Sequence, residues 1–224
     1  MSAGCIHVSV QVGKASPRTR IKICGITRPG DGIAAAECGA DAIGIVFYER
    51  SSRTVDVAAA QAIVAALPPL VGVVGLFLDA DPSRVRSVIA AVSIDLLQFH
   101  GDEPPEYCAA FGRRYIKAVP MKGDVDPVAY ARRYGDAAGF LLDSHGPGGA
   151  GGTGERFDWR KVPAALGKPI VLAGGLNPSN VSDAVRAVSP FAVDVSSGVE
   201  ASPGVKDRNK IASFISEVNR VQAR

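Results

Sequence analysis

Cys24 closes the run Arg20-Ile21-Lys22-Ile23-Cys24, whose alternation reads as a short strand, and Gly25-Ile26-Thr27 follows at once. A thiol at a strand's last position, beside a glycine that lets the chain turn, is presented for chemistry. The plainer alternative is a small buried apolar residue. Asp143 ends a second apolar run, Gly139-Phe140-Leu141-Leu142. Partial desolvation there is expected to raise the carboxyl pKa, so that the group holds a proton for delivery; a turn or N-cap aspartate is the alternative. Two glycine-containing turns, Leu172-Ala173-Gly174-Gly175-Leu176-Asn177 and Asp194-Val195-Ser196-Ser197-Gly198-Val199-Glu200, can cradle a phosphate on the backbone N–H groups around Gly174, Gly175, Ser197 and Gly198. Ordinary strand-to-helix turns use the same residue types. Arg53, in Tyr48-Glu49-Arg50-Ser51-Ser52-Arg53-Thr54, carries a planar fork suited to a carboxylate, although a solvated surface arginine is the default. Gln98 and His100 sit together in Leu96-Leu97-Gln98-Phe99-His100-Gly101, where His100 can line a pocket or serve a turn. No ligand partner stands at helix or strand spacing from His100, so no metal site is expected.

These residues need elements to position them. Strands are expected at Ile21–Cys24, Ala42–Phe47, Val71–Leu78, Leu96–Phe99, Tyr115–Val119, Gly139–Leu142, Ile170–Leu172 and Phe191–Val195. Helices are expected near Gly32–Cys38, Val57–Leu67, Pro82–Ala91, Pro104–Phe111, Pro127–Tyr134, Trp159–Leu166, Pro178–Val188 and Lys206–Val221, with Asp81-Pro82 and Asn177-Pro178 as start signals. Strict alternation demands a parallel sheet, and eight units of this length point to a single-domain α/β protein, a closed (β/α)₈ TIM barrel over residues 20–224. An open doubly wound sheet is the rival. It is disfavoured because no G-x-G-x-x-G follows the first strand and because candidate chemical residues recur at many strand ends. In such barrels the strand C-termini build the active face, and phosphate sites follow strands seven and eight. Residues 1–19, with His7, read as a loose extension without the apolar run of a signal peptide. The stretch Ser144–Gly154 is rich in glycine and reads as a lid or a tolerated surface loop.

Aromatic residues make up 6% of the chain and hydrophobic residues 47%, so the core must be aliphatic, as buried parallel strands under Ala-rich helices require. A net charge of +3, with no basic block, argues against nucleic acid or an anionic membrane and suits a small anionic substrate. Cys5, Cys24, Cys38 and Cys108 form neither a C-x-x-C pair nor a disulfide framework. A reducing, cytoplasmic setting is expected. No apolar run approaches a membrane span. In the absence of an exposed apolar stripe, a monomer is expected.

Taken together, these segments resemble the phosphoribosylanthranilate isomerase family of tryptophan biosynthesis, from about Arg20 onward. The most specific pieces are Lys22-Ile23-Cys24-Gly25-Ile26-Thr27, Gly39-Ala40-Asp41-Ala42, Gln98-Phe99-His100-Gly101, Leu142-Asp143, Gly151-Gly152-Thr153-Gly154 with Phe157-Asp158-Trp159, Gly174-Gly175-Leu176-Asn177-Pro178, and Asp194 to Glu200. The resemblance implies that Cys24 is the general base, Asp143 the general acid and Arg53 the holder of the anthranilate carboxylate. It places Gly174, Gly175, Ser197 and Gly198 on the phosphate; Gln98, His100 and Asp194 are expected to bind substrate. The implied substrate is a small molecule with phosphate and anthranilate groups. Its own nitrogen serves as electron sink in an Amadori rearrangement, so no cofactor or metal is implied. Thr54 departs from the family, which often has an aromatic residue there.

Two rival readings stand beside this one. The histidine-pathway isomerase performs the same rearrangement, but it carries an aspartate at the position of Cys24 and a second phosphate grip, for which the loops after strands two and three show no double-glycine turn. A non-catalytic phosphate-binding barrel would need neither Cys24 nor Asp143.

Overall fold

A computed structural model describes residues 18–145, 156–164 and 166–222. Eight parallel strands, β1 (Arg20–Cys24), β2 (Ala42–Val46), β3 (Gly72–Phe77), β4 (Leu96–Phe99), β5 (Tyr115–Pro120), β6 (Gly139–Asp143), β7 (Ile170–Leu172) and β8 (Ala192–Val195), close into a barrel in sequence order. The ring is sealed where β1 pairs with β8, with Lys22 opposite Asp194. Strand period decides what faces where. Ile116, Ala118, Leu141, Val171, Ala173 and Ala192 form a small cluster inside the barrel, while their neighbours along each strand, such as Ile21, Ile23, Ile43, Ile45, Phe99 and Phe140, join the larger layer beneath the helices. Lys22, Cys24, Gln98, Asp143 and Asp194 share the inward parity.

The helices are α1 (Pro29–Glu37), α2 (Val57–Ala66), α3 (Pro82–Ala91), α4 (Pro105–Ala109), α5 (Pro127–Arg132), α6 (Val181–Val188) and α7 (Arg208–Gln222). Asp56, Asp81 and Asp126 cap α2, α3 and α5 by accepting from Ala59 N, Ser83 N and Val128 N. The few aromatic rings are not scattered. Phe47 stacks on Phe77 at 5.3 Å between ring centroids, and Phe77, Phe99, Phe111 and Tyr115 continue the contact across the outer face of β3 to β5.

Three expected elements differ. Instead of a helix over Trp159–Leu166 there is a 3₁₀ turn, Trp159–Lys161. Pro163 explains this: it lacks an N–H and forces Val162 into extended backbone (φ −69°, ψ 121°). The helix expected from Pro178 begins at Val181, because Asn177 takes Ser179 N into a local turn and Asn180 turns back to the preceding glycines. The last helix begins at Arg208, because Val205–Lys206 pairs with Glu200–Ser202 as an antiparallel hairpin, β9 and β10, around Pro203-Gly204. That Pro-Gly pair was the unread signal.

Arg18 and Thr19 are tied to the barrel, through Asp41 and the Pro190 carbonyl. The rest of the expected extension and the glycine-rich stretch from Gly146 onward lie outside the described residues. No helix among the described residues is long and apolar enough to cross a membrane.

Candidate active site

At the C-terminal ends of the strands lies a cavity of about 320 Å³, lined by Cys24, Arg53, Gln98, His100, Asp143, Gly174, Gly175, Asp194 and Ser197 among others. Nine of the ten nominated residues therefore line one cavity. Gly198 stands behind it. A Cβ there would lie 1.9 Å from the Leu176 carbonyl oxygen, so the two glycine turns pack directly on each other.

The thiol corner is built by β1, β2 and β8. Lys22, two residues before Cys24 and so on the same face, donates from Nζ to Asp194 Oδ1 at 2.9 Å and lies in hydrogen-bonding reach of the Cys24 sulfur. Burial opposes the charge on Lys22, but Asp194 and Cys24 outweigh it and keep the ammonium charged above its usual range. For Cys24, burial pushes the thiol up, Lys22 pulls it down and Asp194 pushes it up again, leaving it raised. Room for both groups comes from Gly44, opposite Cys24 in register: a Cβ there would sit 2.7 Å from the sulfur and 3.1 Å from Lys22 Cε.

The carboxyl corner is the last residue of β6. Asp143 Oδ1 accepts from Ser144 N at 2.7 Å, and Oδ2 lies 3.2 Å from His100 Nε2 and 3.6 Å from His145 Nδ1. All three side chains are buried, and the imidazole rings lie 4.5 Å apart. Burial alone would raise the Asp143 pKa, but the contacts with His100 and His145 outweigh it and hold the carboxyl well below the usual carboxylate range. This corrects the expectation that desolvation keeps the group protonated: the desolvation is present, and two imidazoles reverse its effect. Burial also pushes the His145 imidazole down, towards its neutral form. His100 is fixed in turn. Gln98 Nε2 contacts its Nδ1 at 3.0 Å, and buried Lys117 donates to the carbonyls of Phe99 and Gly101 on either side and to Glu103 Oε2 at 3.1 Å.

Arg53 is positioned by the hairpin that pattern reading overlooked. Its Nε and Nη2 each donate to Glu200 at 2.8 Å, and Lys206 Nζ donates to the same carboxylate at 2.8 Å. The bidentate edge of Arg53 is thus committed within the chain. Its Nη1 makes no hydrogen bond among the described residues. Gly25, at φ +73°, lets the arginine lie across it: a Cβ would meet Arg53 Cδ at 2.5 Å. Burial opposes the negative charge of Glu200, yet Arg53 and Lys206 hold the carboxyl below its ordinary value.

Gly174 and Gly175 follow β7 with consecutive positive φ values of +81° and +63°, backbone that favours glycine. Asn180 holds that turn, donating to the Gly175 carbonyl at 2.9 Å and accepting from Asn177 N at 2.9 Å. Opposite it, Ser197–Val199 forms a single 3₁₀ turn after β8.

Comparison with known proteins adds the following. The family model for N-(5'phosphoribosyl)anthranilate (PRA) isomerase matches residues 21–217. An N-(5'-phosphoribosyl)anthranilate isomerase of Halorhodospira halophila is 55% identical over 203 residues, covering 91% of this chain and 98% of that one. The structure of phosphoribosyl anthranilate isomerase from Thermotoga maritima superposes with a TM-score of 0.81 at 41% identity, covering 90% of this chain and 99% of that one. A further crystal structure of phosphoribosyl anthranilate isomerase, in complex with reduced 1-(o-carboxyphenylamino)-1-deoxyribulose 5-phosphate, has a TM-score of 0.80 at 38% identity, over 90% of this chain and 99% of its own.

Proposed function

The chain belongs to the N-(5'-phosphoribosyl)anthranilate isomerase family, and from that premise we propose how its residues divide the chemistry. The reaction is the Amadori rearrangement of N-(5-phospho-β-D-ribosyl)anthranilate to 1-(2-carboxyphenylamino)-1-deoxy-D-ribulose 5-phosphate, a step of tryptophan biosynthesis.

The phosphate sits on the N–H groups of the turns at Gly174, Gly175, Ser197 and Gly198, which anchors the sugar below the acid and the base. Arg53, oriented by Glu200, turns its remaining N–H groups to the anthranilate carboxylate, and Gln98, His100 and Asp194 complete the wall. Asp143 delivers a proton to the ribose ring oxygen. In the free protein that proton is not resident on Asp143. It is taken up when the anionic substrate displaces water and adds negative charge beside the carboxylate, and the adjoining imidazoles are the groups placed to pass it. Ring opening leaves a Schiff base, and the Cys24 thiolate, formed with the help of Lys22, removes the proton from C2. The enolamine then tautomerises to the ketose. The substrate nitrogen is the electron sink throughout.

One observation carries this reading: Cys24 from the end of β1 and Asp143 from the end of β6 line the same cavity as the two glycine turns. General acid and base groups each contribute about 10²- to 10⁴-fold. Replacing Cys24 by Ala, or Asp143 by Asn, is expected to lower kcat by that order while the variants still bind product, read from the change in anthranilate fluorescence. Near-normal turnover of Cys24→Ala would refute the assignment. Residues 20–224 act as one catalytic domain, and every group named comes from a single copy of the chain, so a monomer suffices. A cytoplasmic setting accords with the three free thiols among the described residues, Cys24, Cys38 and Cys108.

A further inference from the structure

We propose that His100, Asp143 and His145 together form a binding site for a zinc-class divalent cation, and that its occupancy stops turnover by taking the carboxylate that the reaction uses as acid. The inhibitory half rests on the reading of Asp143 given above; the binding half does not.

The donor set is two imidazole nitrogens and one carboxylate oxygen, and the three donor atoms all lie within 4.8 Å of one another. Zinc bonds of about 2.0–2.1 Å in tetrahedral geometry set ligand atoms about 3.3 Å apart. Asp143 Oδ2 stands 3.2 Å from His100 Nε2 and 3.6 Å from His145 Nδ1, so two edges of that tetrahedron are already drawn. Nor are the donors consumed elsewhere. His100 Nε2 and His145 Nδ1 are buried and face Asp143 Oδ2, yet neither makes an aligned hydrogen bond among the described residues. Buried nitrogens in this state are costly, and each calls for a partner.

The surroundings fit a metal as well. Ligating histidines use their second nitrogen to hold a neighbour, which fixes the tautomer. His100 Nδ1 faces the Gln98 amide at 3.0 Å, and the Gln98 Oε1 is itself a buried atom without a partner. Turning that amide over gives Oε1 the Nδ1–H of His100 and frees the Nε2 lone pair for the cation. A single ion with one amide flip would therefore give Gln98 Oε1, His100 Nε2 and His145 Nδ1 a partner each. Asp143 is prepared too: Oδ1 is tied to Ser144 N at 2.7 Å, leaving Oδ2 as the ligand atom. The Met121 and Lys122 amides donate to the Asp143 and His145 carbonyls, which holds the backbone of this ligand pair. His100 and Asp143 both line the cavity, so the fourth position can take water or a substrate oxygen.

The test uses the full chain, stripped with chelator, and cobalt(II) alone as first probe. One equivalent of cobalt is expected to give the intense visible absorption of a tetrahedral site without a near-ultraviolet thiolate charge-transfer band, and zinc is expected to displace it. Removing one ligand, in His145→Ala or the more conservative His145→Gln, should weaken cobalt and zinc binding by about 10- to 100-fold or more, with the Gln98→Ala variant weakened about 10- to 100-fold. Zinc should inhibit the wild type reversibly, with the inhibitory concentration shifted by a similar factor in the His145 variants. A thiolate band would move the ion to a cysteine and overturn the proposal, as would substoichiometric uptake or unchanged affinity in both His145 variants. Zinc that binds with the expected signature but leaves turnover intact would keep the site and overturn Asp143 as the acid.

Discussion

Lys22→Met tests the thiol corner most directly. The substitution keeps most of the side-chain volume, removes the ammonium beside Cys24, and leaves the carboxylate of Asp194 without its 2.9 Å partner. A unit charge pair about 4 Å apart is worth about 4 kcal/mol at an effective dielectric near 20, or about three pH units of thiol ionisation. Water entering the vacated space reduces this, so a rise of about one to three units is expected in a pKa that burial already raises. With Cys24 as the base, as proposed above, activity increases with pH up to the folded pKa; raising that pKa moves the limb to higher pH. At a fixed neutral pH the variant should lose about 10- to 1000-fold in kcat/KM, one decade for each unit. Lys22→Met/Asp194→Asn removes the negative charge that also raises Cys24, and should recover about tenfold of the loss. The assays are the pH profile of kcat/KM, followed by anthranilate fluorescence, and the pH dependence of iodoacetamide alkylation in the free protein, which reads the thiol without any turnover. If both limbs of Lys22→Met coincide with those of the wild type, the ammonium does not govern the base and the reasoning fails.

Three further outcomes follow from the geometry. Gly174→Ala would force an L-residue to φ +81° and set its Cβ 2.7 Å from Ser144 N and 2.9 Å from Asp143 Oδ1. The left-handed backbone costs about 1–2 kcal/mol, so a fall in Tm of about 2–8 °C is expected; displacement of the carboxylate should lower kcat by about 100-fold, and an unchanged kcat would show that the turn does not set the acid. Lys117→Met leaves Glu103 buried with its charge unpaired, a loss of about 3–5 kcal/mol and a drop in Tm of about 6–20 °C by thermal denaturation. Glu200→Gln should raise KM about tenfold or more with a smaller change in kcat, because the charge-assisted bonds that aim Arg53 are each worth about 1.5–3 kcal/mol; steady-state kinetics with unchanged KM would exclude that role.

The strands were legible because β-branched runs between turn residues repeat eight times, and each expected strand overlaps an observed one to within a residue at either end. Helix ends were less so, since they depend on single residues such as Pro163 and on the pairing of Val205–Lys206, which no helical period reveals. Cys24, Asp143 and the two glycine turns were legible as candidates because each sits at the end of a readable strand. What supports them was not: Glu200 and Lys206 reach Arg53 through a hairpin, and His145 meets Asp143 and His100 only after β4 and β6 are brought to one rim. For the same reason the direction of the Asp143 shift could not be read. Burial is visible in the flanking apolar run, whereas its outcome depends on how the rings of His145, two residues on, and His100, from the end of another strand, are placed. Lys22 shares its strand face with Cys24, and the pairing of β1 with β8 supplies Asp194 to hold it.

The bare backbone of Gly44 has a consequence for variation in this protein. The sulfur and the lysine stem fill the space that any other residue at that position would occupy, so positions 22, 24 and 44 are constrained as a triplet although only Cys24 is proposed to handle a proton. A change to a bulkier base at 24 tightens the ban on side chains at 44, and a methyl group at 44 would press directly on the sulfur, 2.7 Å away. Tolerance at this strand pair is therefore epistatic, and single-site surveys would misjudge each member of the triplet.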